Sequence, residues 1–133
     1  MMTQHKMYHE SRQVSTRSAA ISDALYVISV AARLVELHPT TLRKYERVGF
    51  LEPSRTPGRT RLYSLQDIRR LRQIKRLVEE REINLAGVQM ALDLTDRLTQ
   101  VVEALDHAPD IETLRKRVQA PLREAFATLG VLD

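Results

Sequence analysis

A short stretch of the chain concentrates side chains suited to reading a polyanion: Thr40, Thr41, Arg43, Lys44 and Arg47, with Tyr45 among them. Guanidinium groups pair bidentately with the acceptor edge of guanine. Hydroxyl and ammonium groups hold phosphate oxygens, which fixes register without reading sequence. A second group follows at once, with Arg55, Arg59, Thr60 and Arg61 around Pro57-Gly58 and Tyr63 just beyond. No acidic residue interrupts that segment. A third set, Arg69, Arg72 and Arg76, recurs at i, i+3 and i+7. Charged residues on helices and loops ordinarily do no more than keep a surface wet. What separates that reading from phosphate contact is how the intervening sequence positions the three groups.

Other chemistries are poorly represented. The 133 residues contain no cysteine, which removes disulfides, thiolate metal sites and cysteine nucleophiles. His5 and His9 are four apart, as two metal ligands on a helix could be, but no third ligand is near them. His107 is isolated, and His38 suits the entry to a helix better than a general base. There is no Gly-rich phosphate loop or nucleophile elbow. We expect no catalysis, no metal and no cofactor.

The elements that would carry the basic groups are legible in outline. Residues 1–25 are rich in Ser, Thr, Gln and Arg and lack apolar periodicity, so we expect a mobile basic tail. Val27, Ile28, Val30, Ala31, Leu34, Val35 and Leu37 make a short helical face, with Ser29 placed to cap it. Pro39 suits the first turn of a second helix running to about Arg47 and closed by Gly49. Two short helices joined tightly form a helix-turn-helix, a width that fits the major groove. The segment from Phe50 to Tyr63 turns at Pro57-Gly58 and predicts a two-stranded hairpin, or wing. Ser64 and Asp67 form a capping pattern that opens a longer helix with a stripe of Leu65, Ile68, Leu71, Ile74 and Val78. Asn84 is placed to cap a further helix containing Leu85, Val88 and Leu92.

Beyond it, Leu94, Leu98, Val101, Val102 and Leu105 form an amphipathic stretch that Pro109 should stop. Its heptad-like spacing is that of a short coiled-coil seam. The seam could pack on the last segment (Ile111, Leu114, Val118, Leu122, Phe126 and Leu129, interrupted by Pro121) or on a second copy of the chain. We favour the second copy, because two-fold dimers are the commonest oligomers and match palindromic sites. The charge divides in the same way. Residues 1–76 hold 15 Lys and Arg against 6 Asp and Glu, whereas 77–133 hold 6 against 11. No apolar run approaches the length of a membrane span. The predicted organisation is mainly α: the tail, a winged helix-turn-helix over 26–93, then a dimerisation helix and C-terminal helical segment over 94–133.

From YVISVAARL and HPTTLRKYERVGFLEPSRTPGRTRLYSLQDIRRLRQIKRLVEE to NLAGVQMALDL, the ordered motifs over residues 26–94 resemble the MerR superfamily of transcription regulators. Within it, YVISVAA, HPTTLRKYE and RTPG-x-TR-x-YS look most like the HspR branch of bacterial heat-shock repressors. The resemblance implies a winged helix-turn-helix followed by an antiparallel dimerisation helix. It places Arg43 and Tyr45 on the recognition helix and Arg61 and Tyr63 on the wing. It also implies repression of chaperone operons in the cytoplasm, at the nucleoid, through inverted repeats in double-stranded DNA. The chaperone DnaK is then the implied co-repressor. Arg59 stands where a glycine is common, and the C-terminal part carries no recognised motif. Cysteine-dependent metal- and redox-sensing branches do not fit. Two other readings stay open: a regulator answering a small apolar ligand held by the C-terminal helices, and an adaptor whose basic face meets an acidic protein.

Overall fold

The helix-turn-helix is shaped by what ends each of its helices. The computed structural model describes residues 24–131, so the tail up to Asp23, with His5 and His9, lies outside the described residues. Strand β1 (Leu25–Val27) runs directly into α1 (Ile28–Val35), and α2 (Pro39–Arg47) follows after three residues. Helix α1 closes with Glu36 in the left-handed region (φ 57°), where Leu37 N–H donates to the Ala32 carbonyl at 3.0 Å. That C-terminal motif reverses the chain within a turn. Gly49 (φ 87°) does the same for α2, with Phe50 N–H donating to the Tyr45 carbonyl at 3.0 Å. Here glycine is the residue that meets the backbone demand without strain.

The wing is one strand larger than the sequence suggests. Strands β2 (Ser54–Arg55) and β3 (Arg61–Ser64) form the expected hairpin, but β1 pairs antiparallel with the other side of β3. The register sets Tyr26 opposite Tyr63 and Arg55 opposite Arg61. Leu25 therefore belongs to the sheet and not to the tail. Ser29 is likewise not a cap: α1 starts at Ile28, Val27 holds the N-cap position, and no side chain caps the helix. The strand already fixes the entry of the chain, so a capping side chain is dispensable there.

Helix α3 (Leu65–Lys75) opens with the predicted capping box. Asp67 N–H donates to Ser64 Oγ at 3.0 Å, and Ser64 N–H donates to Asp67 Oδ2 at 2.9 Å. The chain divides into two compact units between Gln73 and Ile74. The core of the first contains Ala31, Val35, Leu42, Tyr45, Phe50, Tyr63, Ile68 and Leu71.

In the second unit, a π-helical turn (Arg76–Glu80) precedes α4 (Leu85–His107) and α5 (Ile111–Thr128). Asn84 caps α4, accepting from Gly87 N–H at 2.8 Å. The stretches around Leu85–Leu92 and Leu94–Leu105 are one continuous helix, since nothing between them breaks the backbone pattern. It stops before Pro109, with Ala108 driven into extended backbone (ψ 129°) as a residue preceding proline should be. Asp110 caps α5 by accepting from Thr113 N–H at 2.7 Å, which holds its carboxyl below the ordinary range. Pro121 lies buried inside α5 and does not interrupt it. Helices α4 and α5 pack on one another, with an ion pair of 2.7 Å between Arg97 and Glu124.

Candidate nucleic-acid interface

Helix α2 is positioned by its ends and by the two residues it buries. Pro39 occupies the first turn, and His38 Nδ1 accepts from Thr40 N–H at 3.1 Å, so His38 serves as the N-cap. Leu42 and Tyr45 point into the core, one turn apart. That choice of inner face leaves Thr40, Arg43, Lys44 and Arg47 exposed and Thr41 half-buried. Arg43, Lys44 and Arg47 form no ion pair with any described residue. A helix end carrying several cations without acidic partners attracts anions.

Two aromatic residues expected on this surface face inward instead. The Tyr45 ring packs on Phe50, with centroids 5.8 Å apart and planes tilted by 38°. Tyr63 is fully buried on β3, the central strand. Its hydroxyl is enclosed and meets no hydrogen-bond partner among the described residues. Burial raises the Tyr63 phenol above its usual pKa, the Glu46 carboxylate adds to this, and Arg61, Arg43 and Arg55 oppose it. Tyrosines near basic residues read equally well as contact or core. What decides here is the face each one occupies: Tyr45 shares the inner face of α2 with Leu42, and Tyr63 is the one buried residue of β3.

The wing tip is a tight hairpin. Arg59 N–H donates to the Thr56 carbonyl at 2.8 Å, and Thr56 N–H donates to the Thr60 carbonyl at 3.0 Å. Arg59 adopts φ 68°, a left-handed conformation that explains why glycine suits this position. Arg55, Arg59 and Thr60 are exposed, and Arg61 is half-buried.

The residue that sequence reasoning missed is Glu46. It lies on α2 among the cations and accepts from both wing arginines. Arg55 Nη2 reaches Oε1 and Arg61 Nε reaches Oε2, each at 2.5 Å. Its side chain is only 17% exposed. Burial alone would raise its pKa, but the hydrogen bonds and positive charges of Arg61 and Arg55 outweigh that and hold the carboxyl below its ordinary value. The one signal in sequence was an acid standing alone in LRKYER, and its partners are too remote along the chain to be inferred from local spacing.

On α3, Arg69 and Arg72 are exposed, while Arg76 begins the π-helical turn. The half-buried Arg70 is structural: its Nε donates to the Phe50 carbonyl at 2.6 Å and ties α3 to the chain leaving α2. In the second unit, Leu94, Val101 and Val102 are half-buried, whereas Leu98 and Leu105 are 54% and 62% exposed. Packing of α4 on α5 thus covers only part of the apolar seam. Among the described residues no cluster of His, Asp and Glu could hold a metal ion. None of the described helices is long and apolar enough to cross a membrane.

A helix-turn-helix beside a three-stranded wing, with cations exposed on its second helix and hairpin, defines the winged helix-turn-helix class of DNA-binding proteins. The sequence profile of the MerR HTH family regulatory proteins matches residues 26–95. The chain belongs to that family of DNA-binding transcription regulators. It is 48% identical over 77 residues to the putative heat shock protein HspR of Streptomyces coelicolor, covering 58% of this chain. The match spans about half of that relative's length, 51%. The transcriptional regulator GlnR of Bacillus cereus is 29% identical over 72% of this chain and 74% of its own. The crystal structure of HiNmlR, a MerR family regulator lacking the sensor domain, bound to promoter DNA, has the same fold. It aligns with a TM-score of 0.51 over 80% of both chains at 19% identity.

Proposed function

We infer that this protein represses heat-shock or chaperone genes by binding inverted repeats in double-stranded DNA as a homodimer. The observation that carries the DNA contact is the exposure of Arg43, Lys44 and Arg47 on α2 in the same unit as the Arg55, Arg59 and Arg61 wing. Thr40, Thr41, Thr60 and Arg69 complete the proposed contact set. Arg43 is assigned to base edges, and the hydroxyls and wing cations to phosphates. Tyr45 and Tyr63 support the interface from beneath.

The dimer rests on α4. Leu98 and Leu105 stand two turns apart on one face with more than half their surface in water. Burying the part of such a leucine that is still exposed stabilises an association by roughly 1 kcal/mol, about half of what a fully exposed leucine would contribute. Heat-shock genes as the target rest on the 48% identity to the Streptomyces coelicolor relative, whose name carries that role.

The test is selection of bound fragments from the source genome, with and without added DnaK. Inverted repeats upstream of chaperone operons are expected, more strongly retained with DnaK present. Enrichment of unrelated genes, or none above background, would overturn the heat-shock assignment.

A further inference from the structure

Arg55 and Arg61 are direct cross-strand partners in the β2–β3 hairpin. Like charges in that arrangement repel and destabilise a hairpin. Both are nevertheless held close, because the two oxygens of one carboxylate are divided between them. Glu46 Oε1 takes Arg55 Nη2 and Glu46 Oε2 takes Arg61 Nε. Arg55 Nη1 also donates to the Arg59 carbonyl at 3.4 Å, so the same side chain steadies the wing tip. Arg61 engages Glu46 only through Nε, and its two terminal amino groups have no partner among the described residues.

The geometry points to Glu46 as the positioning residue of the interface: a carboxylate that aids DNA binding although its charge repels phosphate. It fixes two long, rotamer-rich side chains before the nucleic acid arrives. The entropy lost in ordering each one is then spent in folding and not on binding. It leaves the two terminal amino groups of Arg61 with their donors unspent, and the cluster keeps a net positive charge. It also joins the recognition helix to the wing, so both meet the duplex at a set separation.

This inference rests on the DNA-binding reading. Simple electrostatics and positioning predict opposite signs for removing the charge. The probe is a random-sequence duplex of about 30 base pairs at low salt, since phosphate contacts do not depend on sequence. Glu46→Gln is compared with wild type and with the same change in an Arg55→Ala, Arg61→Ala background, each variant checked for an intact thermal transition.

Glu46→Gln is expected to weaken binding about threefold to tenfold in the wild-type background, the scale of losing an ordered charge-assisted contact. In the background lacking both arginines, the same change should leave affinity unchanged or raise it. Two results would overturn the positioning role: unchanged or tighter binding by Glu46→Gln alone, or an equal loss in both backgrounds, which marks a merely structural residue. Failure of wild type to bind the duplex at all would instead strike the DNA-binding reading, and this inference with it.

Discussion

Single residues carry two opposed demands in this interface. At the wing tip, Arg59 occupies a left-handed conformation that costs a residue with a side chain about 1–2 kcal/mol. Arg59→Gly should therefore raise the thermal midpoint by the equivalent of about 1 kcal/mol while weakening DNA binding through the lost cation. A variant that is neither more stable nor a weaker binder would contradict both halves. Glu46 sets an acid limit of its own. Its carboxyl is held below the ordinary value of 4.5 when folded, so its stabilising contribution is complete above that value. The contribution drains away as pH falls through the lowered folded value. Stability followed by denaturant titration from pH 6 downward should show this loss in wild type and lack it in Glu46→Gln.

At the level of elements, the ends of helices do much of the positioning, and they are where sequence was most readable. The Ser64–Asp67 box sets the junction between the wing and α3, so Ser64→Ala should lower stability by about 1 kcal/mol in chemical denaturation. Pro121 is the converse case, a proline inside α5 that disfavours helix by about 3 kcal/mol relative to alanine. Two buried methylenes of about 0.8 kcal/mol each are lost in Pro121→Ala, so the net expectation is a gain of roughly 1.4 kcal/mol. A lowered thermal midpoint would show that the ring is needed for packing. The caps at Ser64 and Asn84, the closing Gly49 and the Pro57-Gly58 turn were legible because each is a local rule. Strand β1 was not: it has three residues, too few for an alternation to show, and its partner β3 lies far along the chain. The inward turn of Tyr45 and Tyr63 and the double pairing of Glu46 were hidden for the same reason, since only tertiary contacts decide them.

On the scale of the molecule, the asymmetry of charge along the chain matches a division of labour between two compact units. The first presents the cations of α2 and the wing, and the second offers the partly covered apolar seam of α4. Placing a charge in that seam should abolish self-association. Leu98→Asp is expected to halve the mass measured by analytical ultracentrifugation, and an unchanged mass would remove α4 from the proposed dimer interface. The most direct test of the interface is binding of Arg43→Ala and Arg61→Ala to two duplexes, a selected inverted repeat and a random sequence. Arg61→Ala should weaken both by a similar factor, as a phosphate contact does. Arg43→Ala should cost about 1–3 kcal/mol on the selected site and much less on the random one. Equal affinities of wild type and both variants for the inverted repeat would contradict the assignment of α2 and the wing to DNA.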